Sequence, residues 1–532
     1  MFDTLIRNGL VIDGLGSPGR RADVAIVVDR IAAIGDLGDV DASRVIDAAG
    51  LVVAPGFVDI HSHSDTTLLS DGRARSKIAQ GVTTEVNGNC GIGVAPASGP
   101  HGPLVRTEAK TIDLDPAASL EAETFGEYLD ALVQARPAIN VATLVGHAPL
   151  RIQTIGLDAR AATPSELRDI ASAARAALDD GAFGVSTGLT QVPLIWSDED
   201  ELVAIATAAA SRDAVFAIHM RSYADGLEDA VDEAIRVSQR SGARLQISHM
   251  TSSGRRNRAK AAAAMAKVDA AVSDGLDVAF DVYPYLAGSA NLSQLLPDWV
   301  QAGGSDAMVA RLADPEARQR ASADWTASRF LDWDEIEICL VDPGQEALLG
   351  LTLRDAAARL GIADPADAGI ELIRATENRV SMIAYGRSDE NLMAALAHPR
   401  VVIGSDGLAM DPAGPSGAGL PHPRSFGCYP RLLGEYVRER RVIPLERAIA
   451  ISTSIAASRI GLADRGRIAE GAFADIVIFD ADGVADLATY RKPLTFPRGI
   501  VHVLVNGAFA LADGHQVDLV RAGRVLRRGS AA

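Results

Sequence analysis

Six residues of metal-ligating type each close a short apolar run: His61 and His63 in APGFVDIHSHSD, Cys90 in NGNCG, His219 in FAIHM, His249 in QISHM and Asp406 in VIGSDG. Side chains of a β-strand alternate between faces, so the His-x-His spacing puts both imidazoles on one side of one strand. If the runs are parallel strands of a single barrel, all six side chains meet at its C-terminal rim, where such barrels keep their chemistry. A lone His-x-His pair is as compatible with a structural role as with a site. Five independent strand ends carrying ligand types constrain the fold far more tightly.

The segments between these runs fit that reading. Strand-like runs alternate with amphipathic helical ones, the pattern of right-handed βαβ units around a parallel sheet. Thr163-Pro164-Ser165-Glu166 shows how the helices start: Thr163 caps, Pro164 occupies the first turn and Glu166 completes a capping box. Leu167, Ile170, Ala174 and Leu178 then fall on one face as ordinary core, and Gly181 ends the helix. Candidate strands lie at 52–60, 82–88, 140–147, 181–187, 215–220, 243–249, 276–283, 379–386 and 401–406, one more than an eight-stranded barrel needs. The stretch from about 290 to 375, with Trp299, Trp325 and Trp333 and no ligand candidate, reads as an insertion over the rim, and 379–386 fits either the barrel or that insertion. Short alternating strands with glycine turns fill residues 1–50 and recur in GAFADIVIFD, VHVLVNGAFA and AGRVLR. The expected architecture is therefore α/β: a (β/α)8 TIM-type barrel over 51–463 with a small insertion at about 290–375. A discontinuous β-sandwich from 1–50 and 464–532 flanks it.

Composition narrows the partners. The 532 residues provide ample core, and 48% hydrophobic content with only 5% aromatic suits parallel strands packed under helices. A net charge of −18 repels phosphate backbones and anionic lipid over most of the surface, so neither nucleic acid nor membrane is an expected partner. The opening MFDTLIRNGLVIDG has no basic region followed by an apolar one, and no apolar run is long enough to span a bilayer. Cys90, Cys339 and Cys428 cannot form a fully paired framework, so a reducing, cytoplasmic location is expected. A small-molecule substrate remains, and oligomeric state is not legible.

Beyond these local patterns, APGFVDIHSHSD, NGNCGIG, GVSTGL, HMRSYADG, DVYPYLAGS, GSDG and HPRSFGCYPRLLGEYVRE together resemble the N-acyl-D-amino-acid deacylases, or D-aminoacylases, of the amidohydrolase superfamily. The resemblance runs over nearly the whole chain. It implies zinc, as one or two ions, held by Cys90, His219 and His249, with a second, weaker position near His61 and His63 that Cys90 would bridge. Many members of the superfamily bridge with a carboxylated lysine, but this chain has no lysine between Lys110 and Lys260. That absence counts against a hydantoinase-like cyclic amidase.

The implied reaction is hydrolysis of the amide bond of an N-acyl-D-amino acid. Amide hydrolysis needs an activated water and a group that carries a proton to the leaving nitrogen. Asp406 is the candidate for that transfer as well as a metal ligand. Arg424, Tyr283 and Ser289 match positions that bind the substrate α-carboxylate, and Arg424 offers the planar fork suited to it. His147, in LVGHAPLR, also ends a strand, and is either a substrate contact or a structural histidine. Some members of the family specialised for acidic side chains have a lysine shortly after the sixth-strand histidine. This chain has Met250 and Thr251, which leans towards neutral side chains. A peptidase acting on D-residue or blocked peptides would use the same site, whereas a non-catalytic scaffold would have little reason to keep all six ligand-type residues.

Overall fold

The computed structural model describes residues 1–112 and 120–529. Eight short strands form the centre: β1 (Phe57–Asp59), β2 (Val82–Asn87), β3 (Asn140–Thr143, continued by Val145–Gly146), β4 (Gly184–Gly188), β5 (Val215–His219), β6 (Arg244–Ile247), β7 (Val278–Val282) and β8 (Val401–Ile403). Each pairs in parallel with the next. A parallel bridge between Ser62 and Gly407, just beyond β1 and β8, closes the ring. The result is a TIM barrel whose strands are buried on both faces.

Helices cover the outside in the order the sequence implies. Helix Pro164–Asp180 between β3 and β4 is capped by Thr163, whose hydroxyl accepts from the Glu166 amide at 3.4 Å while Glu166 accepts from the Thr163 amide at 2.7 Å. Ile170, Ala174 and Leu178 are buried against the barrel, Leu167 is half-buried at the margin, and Gly181 ends the helix with φ at 119°. Helices Glu199–Ala210, Leu227–Ser241 and Lys260–Ser273 occupy the next three crossovers.

The structure resolves one reading left open by the sequence and changes two others. The surplus ninth strand, Ser381–Tyr385, is the middle of an antiparallel sheet with Ala287–Asn291 and Ile336–Leu340. It therefore belongs to the insertion between β7 and β8. Run 52–60 is two strands divided at Gly56: Val52–Pro55 joins the flanking sheet and β1 enters the barrel. The AGRVLR segment does not pair with the flanking strands. Val525 bridges Val141, and the amide of Arg528 donates to the Gly181 carbonyl, so the tail packs against the barrel at β3.

The flanking β-sandwich draws on both ends of the chain. Phe2–Val11, Arg20–Val27 and Arg30–Gly35 form an antiparallel meander, and Ile476–Phe479, Ile500–Val505 and Ala508–Ala512 form another. Val52–Pro55 joins the two by pairing with Phe2–Val11 on one side and Ile476–Phe479 on the other. Their inward residues, among them Ile6, Val24, Ile26, Ile476 and Leu504, share one core. The insertion has its own core, in which Trp325 meets Trp333 edge to face at 5.3 Å between ring centres.

Candidate active site

Strand ends deliver the ligand-type residues to one place. His61 follows β1, Cys90 follows β2, His219 ends β5, His249 follows β6 and Asp406 follows β8. One donor atom from each of His61, Cys90, His249 and Asp406 lies within 4.8 Å of the others. Cys90 Sγ is 3.3 Å from His61 Nε2 and 3.5 Å from His249 Nε2. His63 Nε2 stands 2.9 Å from Asp406 Oδ1. The His219 ring centre is 4.6 Å from that of His249, and its Nε2 is 2.8 Å from Thr190 Oγ1.

The backbone is bent to present these groups. Cys90, His249 and Asp406 have φ of 54°, 36° and 52°, a region L-residues rarely occupy and which costs about 1–3 kcal/mol each. Such outliers cluster where side-chain direction matters more than local comfort. Around Cys90 the loop depends on two glycines. A Cβ on Gly88 would stand 1.9 Å from the Leu144 carbonyl oxygen, and one on Gly91 would stand 2.5 Å from the Leu194 side chain. Both also have positive φ, so NGNCG closes only with glycine there.

Electrostatics favour a thiolate among imidazoles. Burial pushes the Cys90 thiol up, but His61, His219 and His249 outweigh it and hold the group well below the ordinary thiol range. Burial likewise opposes ionisation of Asp406, yet Arg424 first and then His61 and His63 keep it well below the usual carboxylate range. His63 is pushed up to about 9 because Asp406 and Cys90 outweigh its burial, whereas burial pulls His249 down.

The donor set fits zinc. A thiolate, imidazoles and one carboxylate are the ligand types that ion prefers, and the buried Nδ1 atoms of His63 and His219 have no hydrogen-bond partner among the described residues. Supporting groups orient the ligands. Asp281 Oδ1 lies 3.1 Å from His61 Nδ1 and accepts the His249 amide at 2.7 Å, so one carboxylate fixes two ligands. Behind His61 and His63, Lys77 is fully buried, with Nζ 2.7 Å from Asp59 and 3.4 Å from Glu85 and donating to Ser62 and Ser405 at 3.0 Å. Sequence reading missed Asp281, Lys77, Asp59 and Glu85. Three of them left a signal, a charged residue inside an apolar strand run: FVDI, VTTEV and AFDV.

A cavity of about 150 Å³ opens over this group, lined by His63, Cys90, His219, His249 and Asp406 together with Ser289 and Arg424. Arg424 opens helix Arg424–Arg431, pairs with Asp406 Oδ2 at 2.7 Å and stacks on Tyr283, 4.7 Å from guanidinium carbon to ring centre. Tyr283 is buried behind it, bordering a smaller cavity shared with His249. His147 stands apart. It is fully buried at the start of helix His147–Ile155, and its ring nitrogens face Thr187 Oγ1 at 2.9 Å and Glu201 Oε1 at 2.8 Å. Both positions are used and it does not line the cavity, so the structure gives it no substrate contact. Cys339 lines the cavity, where burial raises its thiol to about 12, and Cys428 is buried away from it.

The profile of the amidohydrolase family matches residues 44–510. An N-acyl-D-glutamate deacylase of Alcaligenes xylosoxydans xylosoxydans is 38% identical over 530 residues, covering 100% of this chain and 97% of its own. A D-aminoacylase of the same organism is 36% identical, covering 100% and 98%. Among solved structures, the N-acyl-D-glutamate deacylase of Bordetella bronchiseptica, complexed with zinc and a phosphonate mimic of the tetrahedral intermediate, superposes with a TM-score of 0.82 at 35% identity, covering 99% of both chains.

Proposed function

Because the chain belongs to the amidohydrolase family, we propose that it is a zinc-dependent deacylase that hydrolyses the amide bond of N-acyl-D-amino acids to a carboxylate and a free D-amino acid. The observation that carries this reading is the convergence of Cys90, His61, His249 and Asp406 on one cavity that also presents Arg424. His61, His63, Cys90, His219, His249 and Asp406 would hold the zinc. When bound, the ion supplies Lewis acidity, lowering the pKa of water towards about 7 and polarising the acyl carbonyl.

The remaining work falls to side chains. Arg424, half of whose fork already engages Asp406, offers its outward donors to the substrate α-carboxylate, with Ser289 on the same cavity wall and Tyr283 stacked behind. That contact fixes the amide over the reactive group, and fixed orientation lowers the barrier. Asp406, kept ionised by Arg424 and the imidazoles, accepts the proton of the attacking water and returns it to the amide nitrogen as the C–N bond breaks. Water thus adds its hydroxyl to the acyl carbon and one proton to the leaving nitrogen, and the carboxylic acid formed then ionises, its proton completing the ammonium of the released amino acid.

The flanking parts have supporting roles in this reading. Residues 1–50 and most of 464–532, joined by Val52–Pro55, act as a discontinuous β-sandwich domain beside a catalytic unit that takes the rest of 51–463 and carries the tail from about Val525 against it. Among the described residues no helix is long and apolar enough to cross a membrane. A cytoplasmic place of action is supported by three unpaired cysteines, one of them at the metal site. The excess of acidic residues disfavours nucleic-acid partners. The direct test is a hydrolysis screen of N-acetyl-D- and L-amino acids, with hydantoins and dipeptides alongside. Turnover confined to the N-acetyl-D series supports the proposal; turnover of only hydantoins or only dipeptides rejects it.

A further inference from the structure

A second, larger cavity of about 320 Å³ adjoins the first, sharing His219 and Gln294 with it. Its walls mix apolar side chains, Leu295, Phe330 and Met382 among them, with polar ones such as Thr190, Ser222 and Ser253. Two guanidinium groups border it, and they differ. Arg221 is neutralised by Glu233 at 2.9 Å. Arg387, half-buried where the insertion returns to the barrel, makes no ion pair among the described residues, although the exposed Asp298 lines the same cavity. Its guanidinium carbon lies 4.3 Å from the centre of the Tyr283 ring, the ring on which Arg424 also stacks.

Gly288 leaves the room for this. A Cβ there would stand 3.2 Å from Arg387 Nη2. Arg387 is thus held by stacking with its hydrogen-bonding edge unclaimed by any carboxylate, beside the cavity that carries the metal ligands. A fork that is held in place beside the Tyr283 ring and hydroxyl, with no carboxylate paired to it among the described residues, matches a carboxylate ligand. Arg424 faces the cavity with Asp406, whereas Arg387 faces the one beyond His219, so the two cations serve different places.

We propose that Arg387 recognises a second carboxylate, on the substrate side chain, so that N-acylated acidic D-amino acids are the preferred substrates. This rests on the deacylase reading above. Met250 and Thr251, after β6, supply no charge, and the lean towards neutral side chains followed from them alone. Arg387 provides the cation from a different element, which local comparison around His249 does not reveal.

The experiment measures kcat/KM of the zinc-loaded full chain for N-acetyl-D-glutamate, N-acetyl-D-aspartate and N-acetyl-D-leucine, in wild type, Arg387→Met and Arg387→Lys. The expected wild-type order puts the acidic substrates first. Arg387→Met should lose about 10- to 100-fold on them, the scale of a charge-assisted contact, and stay within about 3-fold on the leucine derivative, which also shows that the variant folds. Arg387→Lys should recover part of the loss. Wild type that prefers the leucine derivative overturns the inference and leaves the deacylase reading standing. An equal loss on all three substrates also overturns it, placing Arg387 on the α-carboxylate instead. No turnover of any N-acetyl-D-amino acid removes the deacylase reading, and the inference with it.

Discussion

Replacing Lys77 by methionine keeps the length of the side chain and removes its charge from a place water does not reach. The ammonium lies 2.7 Å from Asp59 and 3.4 Å from Glu85, all three groups being fully buried. At an effective dielectric of 20 these separations correspond to about 6 and about 5 kcal/mol of gross attraction. Much of that is cancelled by the cost of burying the ammonium, so the net loss on removing one partner of such a cluster is about 3–5 kcal/mol. The variant also leaves two carboxylates facing each other without a cation. Burial already raises the pKa of Glu85, and Lys77 is the main influence holding it down. Without Lys77 it rises further.

A carboxyl whose folded pKa exceeds its unfolded value costs stability at neutral pH and returns it as pH falls towards the folded value. The gap between wild type and Lys77→Met should therefore be widest near pH 7 and narrow on acidification. Urea unfolding, followed by circular dichroism and tryptophan fluorescence at several pH values, measures it. A variant within about 1 kcal/mol of wild type at pH 7, or a gap that widens on acidification, would refute the reasoning.

Asp406→Asn keeps the shape and loses the proton acceptor, so turnover should fall about 10²- to 10⁴-fold with zinc retained; near-normal steady-state turnover would remove Asp406 from proton transfer. Arg424→Ala should raise KM about 10- to 100-fold with metal content unchanged, and an unaltered KM contradicts its role in binding the α-carboxylate. Glu201 is buried, which opposes its ionisation, but His147 and Arg151 hold it down at about 2. Its depressed pKa contributes stability above its unfolded value of 4.5 that is lost as pH falls towards about 2. Glu201→Gln should thus cost about 3–5 kcal/mol at pH 7, narrowing only below about pH 4.5; a gap already closing at pH 6 speaks against it.

The metal-ligand candidates were legible because their signal is local: a ligand-type residue at the end of an apolar run, repeated. The identity of the eight barrel strands was less so. Met382, Ile383 and Ala384 look like β7 in composition, and only pairing with Ala287–Asn291 and Ile336–Leu340 assigns them to the insertion. Val52–Pro55 and β1 read as one run because the chain changes sheets at Gly56 without a break in hydrophobicity. His147 has the same strand-end signature as His219. What separates them is Glu201, 54 residues downstream, which draws the His147 ring away from the cavity. The Lys77, Asp59 and Glu85 cluster joins a helix to two strands, and Arg387 meets Tyr283 across the insertion. No single stretch of sequence contains either arrangement.

The account rests on Cys90 and distant imidazoles meeting around zinc. X-ray absorption at the zinc edge on purified, active protein tests that most directly. The expected spectrum has a sulfur neighbour at about 2.3 Å with nitrogen and oxygen completing the shell, the sulfur signal vanishing in Cys90→Ala. A shell of nitrogen and oxygen alone, or full activity in protein that contains no zinc, would contradict it.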